Sequence, residues 1–188
     1  MSFSIHIDPQ GFKEAQASLA HVKNGFPRAA SRAINRGLVA GRKLATKLIR
    51  ARYAIKAGEA KARGFEIQKA KPSQLGGALR VKGTMLPISL FAPGLAKPPK
   101  KGQRKVVQVM IVKGRRKVLE GAFTPDGRRI FERRQPARYP IFPVFTIGVP
   151  QMLGSLKIAK EVEARIAESI ATNLVSEVRF LQGNAAKR

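Results

Sequence analysis

Between Glu66 and Glu120 the chain has no carboxylate, yet that stretch carries Lys69, Lys71, Arg80, Lys82, Lys97, Lys100, Lys101, Arg104, Lys105, Lys113, Arg115, Arg116 and Lys117. A second gap, from Glu14 to Glu59, holds Lys23, Arg28, Arg32, Arg36, Arg42, Lys43, Lys47, Arg50, Arg52 and Lys56. With 37 Lys and Arg against 11 Asp and Glu, such a chain repels itself when compact. Any fold it adopts must therefore sit beside something strongly negative: nucleic acid, a membrane face or acidic protein partners. The imbalance is concentrated in the front and middle of the chain, whereas residues 151–188 carry a more even 6 basic and 4 acidic side chains.

The 188 residues, 44% of them hydrophobic, suffice for one domain with its own core and argue against disorder throughout. We expect a single domain over 1–188: an N-terminal strand and helices over 1–60, a β-rich basic region over 61–150, a C-terminal helix over 151–182 and a polar tail over 183–188. Cysteine is absent, which excludes disulfides, thiolate zinc sites and a cysteine nucleophile. No basic-then-apolar leader and no stretch approaching the ~20 apolar residues of a bilayer span is present, so synthesis in the cytoplasm is expected.

The alternation of Phe3, Ile5 and Ile7 with polar residues predicts a short strand ended by Pro9 and Gly11. Phe12, Ala15, Leu19 and Val22 predict a helix to about Lys23, stopped at Asn24-Gly25. Pro27 suits a first helical turn, and Ala30, Ala33, Ile34, Leu38, Leu44, Ala45, Leu48 and Ile49 continue a stripe to about Arg52. The opposite face of that second helix is cationic or small, and Gly37 and Gly41, four residues apart, permit close approach of another helix. Such an apolar stripe serves the fold more often than a neighbour.

From Lys61 to Pro150, short β-branched runs separated by Gly and Pro predict strands at 65–67, 78–82 and 86–91. An antiparallel meander is expected from 105–112, 117–123 and 128–134, with turns at Gly114 and Asp126-Gly127. Residues 138–145 hold two prolines and suit an edge segment. Residues 151–181 return to helical spacing through Ala159, Val162, Ile166, Ile170, Leu174, Val178 and Leu181. The fold class is α+β: two N-terminal helices, a central antiparallel β-rich region with extended loops, and a long C-terminal amphipathic helix.

His6 and His21 belong to no motif with a serine or a ligand partner, and no glycine-rich phosphate cradle follows a strand. We expect no enzyme, no cofactor and no metal site. The Pro/Gly/Lys loop 97–105 can reach a phosphate backbone, or can order against an acidic neighbouring subunit. No aromatic lies between Lys97 and Lys117, so any nucleic-acid contact is to the backbone and blind to sequence. Chosen on charge alone, the candidate contact residues are Arg28, Arg32, Arg36, Arg42 and Lys43 on the second helix, Lys97, Lys100, Lys101, Arg104 and Lys105 on the loop, and Arg115, Arg116 and Lys117 at the next turn.

Four short motifs recur in a familiar order: Ala33-Ile34-Asn35-Arg36, Lys100-Lys101-Gly102-Gln103-Arg104, Gly121-Ala122-Phe123, and Arg138-Tyr139-Pro140-Ile141 followed by Val149-Pro150. In these, over roughly residues 28 to 180, the chain resembles the minor tail protein Z family of lambda-like tailed bacteriophages and prophages. The resemblance implies a virion structural protein, a tail completion protein at the head-proximal end of the tail, that forms part of the head–tail joint and helps position the genome end. It implies as partners the tail terminator, tail tube and connector, assembly as a homo-oligomeric ring, sixfold by analogy with tail symmetry, and no catalytic residues. Charge alone leaves two other classes open: a sequence-independent nucleic-acid-binding protein, and a peripheral membrane protein.

Overall fold

The computed structural model describes residues 9–92, 107–125 and 127–185; the expected strand at 3–7 and the lysine loop 97–105 lie outside them. The first helix, α1, runs Pro9–Ser18. It stops before the expected Lys23 because the chain turns over residues 19–24, where Val22 N–H bonds the Leu19 carbonyl at 3.0 Å. Asn24 takes the left-handed conformation, φ 53°, which a short polar side chain tolerates. Leu19 remains buried and His21 sits exposed on this turn rather than on a helix face.

Helix α2, Gly25–Arg52, is the structural axis. Pro27 falls in its first turn, where N–H groups have no intrahelical partner, and Arg50 and Arg52 complement the carbonyl end. Ala29, Ala30, Ala33, Ile34, Leu38, Ala45 and Ile49 are buried, so the stripe does serve the fold. A short helix unexpected from the sequence, α3, Ala57–Gly64, follows. It is too short for its periodicity to register, and Ala60 is its buried anchor.

Strands β1, Phe65–Gln68, and β2, Ala78–Val81, pair antiparallel, Phe65 opposite Val81. The expected strand 86–91 is instead β3, Leu86–Pro87, followed by a 3-10 turn, Ile88–Phe91. The single meander is likewise divided. β4, Val107–Val109, pairs with β5, Lys117–Leu119, through a turn in which Gly114 has φ 79°. β6, Ala122–Phe123, β7, Phe131–Glu132, and β8, Phe142–Pro143, form a separate three-stranded sheet. The break falls at Gly121, φ 71°, which turns the chain between β5 and β6. Pro143 lies on the edge strand of that sheet, as expected. β9, Phe145–Thr146, returns to pair with β3.

The predicted terminal helix is two helices. α4, Val149–Leu156, ends at Lys157 in the left-handed conformation, φ 52°, and α5 runs Ala159–Ala185. The break lets each half bury a different stripe: Val149, Met152 and Leu153 from α4, and Val162, Ile166, Ile170, Leu174 and Leu181 from α5. Tyr53, just past α2, shares a 2.6 Å hydrogen bond with Ser155 of α4.

α5 lies antiparallel along α2, with Ile170 over Gly37 and Ile166 over Gly41. A Cβ on Gly37 would stand 2.4 Å from Ile170 Cγ1, and one on Gly41 2.3 Å from Ile166 Cγ1. The two glycines are therefore the floor on which α5 rests, as their spacing suggests. A second, smaller core of Ile88, Val107, Val109 and Ile130 sits under the β4–β5 ribbon and the three-stranded sheet. Among the described residues no helix is long and apolar enough to cross a membrane.

Candidate polyanion-facing surface

At 100° per residue, Arg28, Arg32, Arg36, Lys43, Lys47 and Arg50 fall within an arc of about 100° on α2. All are exposed. From Arg28 to Arg50 this ridge is about 33 Å long at ~1.5 Å per residue. Arg42 lies off to one side, half-buried, where its carbonyl accepts a 2.7 Å hydrogen bond from Thr46 Oγ1. Lys43 faces outward.

Two of the predicted contact residues have an internal task. Arg32 Nη1 lies 3.1 Å from Glu177 Oε2, and Arg36 Nη1 lies 2.8 Å from Glu177 Oε1. Glu177, on α5, has only 5% of its side chain exposed, against 45% and 56% for the arginines. Arg36 also donates to Asn173 Oδ1 at 3.4 Å. These arginines neutralise a carboxylate that α5 buries against α2, so they are not free cations awaiting a polyanion. Sequence reasoning missed Glu177 because 145 residues separate it from Arg32, and nothing local marks that one glutamate as the inward one.

The hairpin joining β4 to β5 carries Lys113, Arg115, Arg116 and Lys117, all exposed. Two main-chain hydrogen bonds fasten it to the carboxyl end of α2: Ala54 N–H to the Ile111 carbonyl and Lys113 N–H to the Arg52 carbonyl, both 2.9 Å. The ridge therefore runs on, through Arg50 and Arg52, into Lys113 and the hairpin tip. Lys47, Arg50, Arg52 and Lys113 join the predicted set to close this strip. Their signal in the sequence was the pair of acid gaps, but only the hairpin's docking makes the gaps adjacent. Among the described residues, no ion pair engages Arg28, Lys43, Lys47, Arg50, Arg52, Lys113, Arg115, Arg116 or Lys117. Lys97, Lys100, Lys101, Arg104 and Lys105 lie outside the described residues.

A strip of this length, in which only Arg32 and Arg36 are paired among the described residues, can bind phosphates or carboxylates by charge, without reading bases. It offers no paired acid and base within hydrogen-bond reach, and among the described residues no group of His, Asp and Glu is placed to hold a metal ion.

Three of the four short motifs hold residues with a structural task, and the fourth, Lys100 to Arg104, lies outside the described residues. Ala33 and Ile34 are core, and Asn35 closes a reciprocal pair with Ala70: its Nδ2 donates to the carbonyl and its Oδ1 accepts from the N–H, both 2.9 Å. Gly121 turns the chain into β6, the Arg138 carbonyl accepts from Arg133 Nε at 3.3 Å, and the Tyr139-Pro140 peptide is cis. Val149 is fully buried at the start of α4, where Pro150 needs no hydrogen-bond donor.

No curated protein and no solved structure matches the chain significantly. The family model for prophage minor tail protein Z (GPZ) matches residues 10–182. That span contains every helix and strand described above except the first residue of α1 and the last turn of α5. The chain belongs to the prophage minor tail protein Z family, structural components of the virion tail that work among other tail proteins.

Proposed function

We propose that this chain is a tail completion protein, folded as a single domain, that assembles as a ring at the head-proximal end of the tail and helps build the head–tail joint. In that position it meets the terminator, tube and connector subunits, and its α2 ridge and β4–β5 tip face the phosphates of the genome end. The observation that carries this reading is the continuous cationic strip in which, among the described residues, only Arg32 and Arg36 are paired with a carboxylate, Glu177, and Arg28, Lys43, Lys47, Arg50, Arg52, Lys113, Arg115, Arg116 and Lys117 have none. Copies set side by side would repel one another unless a polyanion ran between them. The strip's length of about 33 Å matches roughly one turn of duplex, which carries a phosphate charge every ~1.7 Å of axis. The lysine loop, Lys97 to Lys105, adds cations to the same task. Sixfold symmetry follows by analogy with the tail.

The test separates particles from soluble lysate on a density gradient and quantifies the chain in each fraction by mass spectrometry. A fixed low copy number beside tail-tube proteins supports the reading. Recovery only in nuclease-sensitive soluble complexes supports a free, sequence-independent nucleic-acid-binding protein instead.

A further inference from the structure

The cations between residues 118 and 156 are all arginines, whereas the α2 ridge and the hairpin tip mix arginine with lysine. Three of these arginines lie on aromatic rings at one end of the three-stranded sheet, where the chain passes from β7 to β8. Arg133 Cζ stands 4.2 Å from the Phe123 ring centroid while its Nε donates to the Arg138 carbonyl. Arg134 Cζ stands 4.6 Å from the Phe142 centroid, its Nε 3.2 Å from Glu132 Oε1, and the side chain is 66% exposed. Arg138 reaches to 5.8 Å from the Tyr139 centroid, and Tyr139 is itself 67% exposed.

A planar guanidinium held on a ring can grip a carboxylate with two parallel hydrogen bonds, and because the Nε of Arg133 and of Arg134 is already engaged, the pair of Nη groups is the fork each has to offer. Lysine can neither stack in this way nor make the fork. Aromatic residues and arginine are enriched in protein–protein interfaces, and lysine is depleted there. Single-stranded nucleic acid would need open ring faces on which to stack bases. Phe123 and Phe142 each have a guanidinium close over one face, and Arg138 stands farther from Tyr139, at 5.8 Å, which leaves Tyr139 the most open ring of the three.

We propose that this end of the sheet, built from Arg133, Arg134, Arg138 and Tyr139, is the docking surface for a neighbouring protein that presents carboxylates around an apolar contact. It is a surface distinct from the phosphate-facing strip. The inference rests on the tail reading, since the neighbour is a protein of the same particle. Because the rings fix the forks in advance, little side-chain freedom is lost on docking.

The experiment places a photo-reactive ring at the site, Tyr139→p-benzoylphenylalanine, and at the strip, Lys43→p-benzoylphenylalanine, in assembled particles. After irradiation, position 139 is expected to give nuclease-resistant protein adducts that map to a peptide containing Asp or Glu. Position 43 is expected to give nuclease-sensitive adducts. Nuclease-sensitive adducts at 139, no adduct there, or a peptide lacking Asp and Glu would overturn the docking surface while leaving the tail reading intact. Absence of the chain from particles would remove both. As a second arm, Arg133→Lys with Arg134→Lys and Arg138→Lys preserves every charge, and incorporation into particles should fall about tenfold at an unchanged circular dichroism spectrum. Incorporation equal to the parent would show that charge alone suffices and would equally overturn the proposal.

Discussion

Replacing Gly41 with alanine should destabilise the protein even though alanine is the better helix former. In an open helix the change gains up to about 1 kcal/mol. Here the new methyl would stand 2.3 Å from Ile166 Cγ1 and 2.6 Å from its Cδ1, where carbon atoms ordinarily approach to ~3.5–4.0 Å. Ile166 is fully buried, and its branched side chain has essentially one rotamer in a helix, so it cannot swing aside. The relief must come from α5 moving away by about an ångström, which forfeits a quarter to a half of the dispersion at each contact along the seam. Overpacking of this kind costs about 3 kcal/mol at the upper end, leaving a net loss of about 2 kcal/mol. For a chain of this size that lowers Tm by about 4–8 °C. Gly37→Ala, against Ile170 at 2.4 Å, should behave alike. The double variant should lose less than the sum, because one displacement of α5 relieves both clashes. Gly183→Ala, on the same α5 with nothing within 4 Å of the added Cβ, is the control and should be neutral or slightly stabilised. Urea unfolding in high salt, comparing midpoints at constant slope, makes the measurement. If Gly41→Ala matches or exceeds the parent in stability while Gly183→Ala does the same, the seam is not set by these glycines and the reasoning fails.

Asn35→Ala should cost about 2–4 kcal/mol by urea unfolding, because both main-chain groups of the buried Ala70 lose their partner; an undiminished midpoint would show that they find another. Arg32→Ala with Arg36→Ala should destabilise by about 1–3 kcal/mol, reduced from the fully buried case because the arginines are half exposed, whereas Glu177→Leu should be near neutral in the same assay. Equal losses from the two would contradict the view that an unpaired Glu177 is the costly species. In duplex binding, Lys43→Ala, Lys47→Ala and Arg50→Ala together should flatten the log–log salt slope by about 2.7, three phosphates at ~0.9 each, and an unchanged slope would place the duplex elsewhere. Ile166→Asp with Ile170→Asp should abolish cooperative unfolding, since each buries a charge with no partner, and a soluble cooperative variant would refute the α5 packing.

Periodicity and charge made much of this protein legible. The stripes of α2 and α5, the Gly37–Gly41 spacing, the turns at Gly114 and Gly127 and the proline edge strand are local statements that a run of residues makes by itself. The acid gaps likewise announced a surface that its own chain could not neutralise. Local pattern failed where a choice depended on what lay opposite. The eight residues of α3 show too little period to register, and the break at Lys157 separates two apolar stripes that enter one core, α4 packing on α2 and α3, and α5 on α2 and α1. The division of the expected meander into a hairpin and a separate sheet goes with an extra attachment of the hairpin, which shares the small second core with the sheet but is also bonded to the end of α2.

The candidate surface divides in the same way. Sequence determined that α2 bears a ridge of cations and that the 113–117 turn bears another, because both follow from residue identity and helical or turn geometry. Tertiary structure alone decided that the two are continuous, through the Lys113 and Ala54 main-chain bonds, and that Arg32 and Arg36 are committed to Glu177. It also decided which arginines stand on which rings. The physical reason is range: the preference of a helix for its solvent face is set within a turn or two, whereas the partner of a charge is set by whatever element packs across from it, 145 residues away for Arg32 and Glu177.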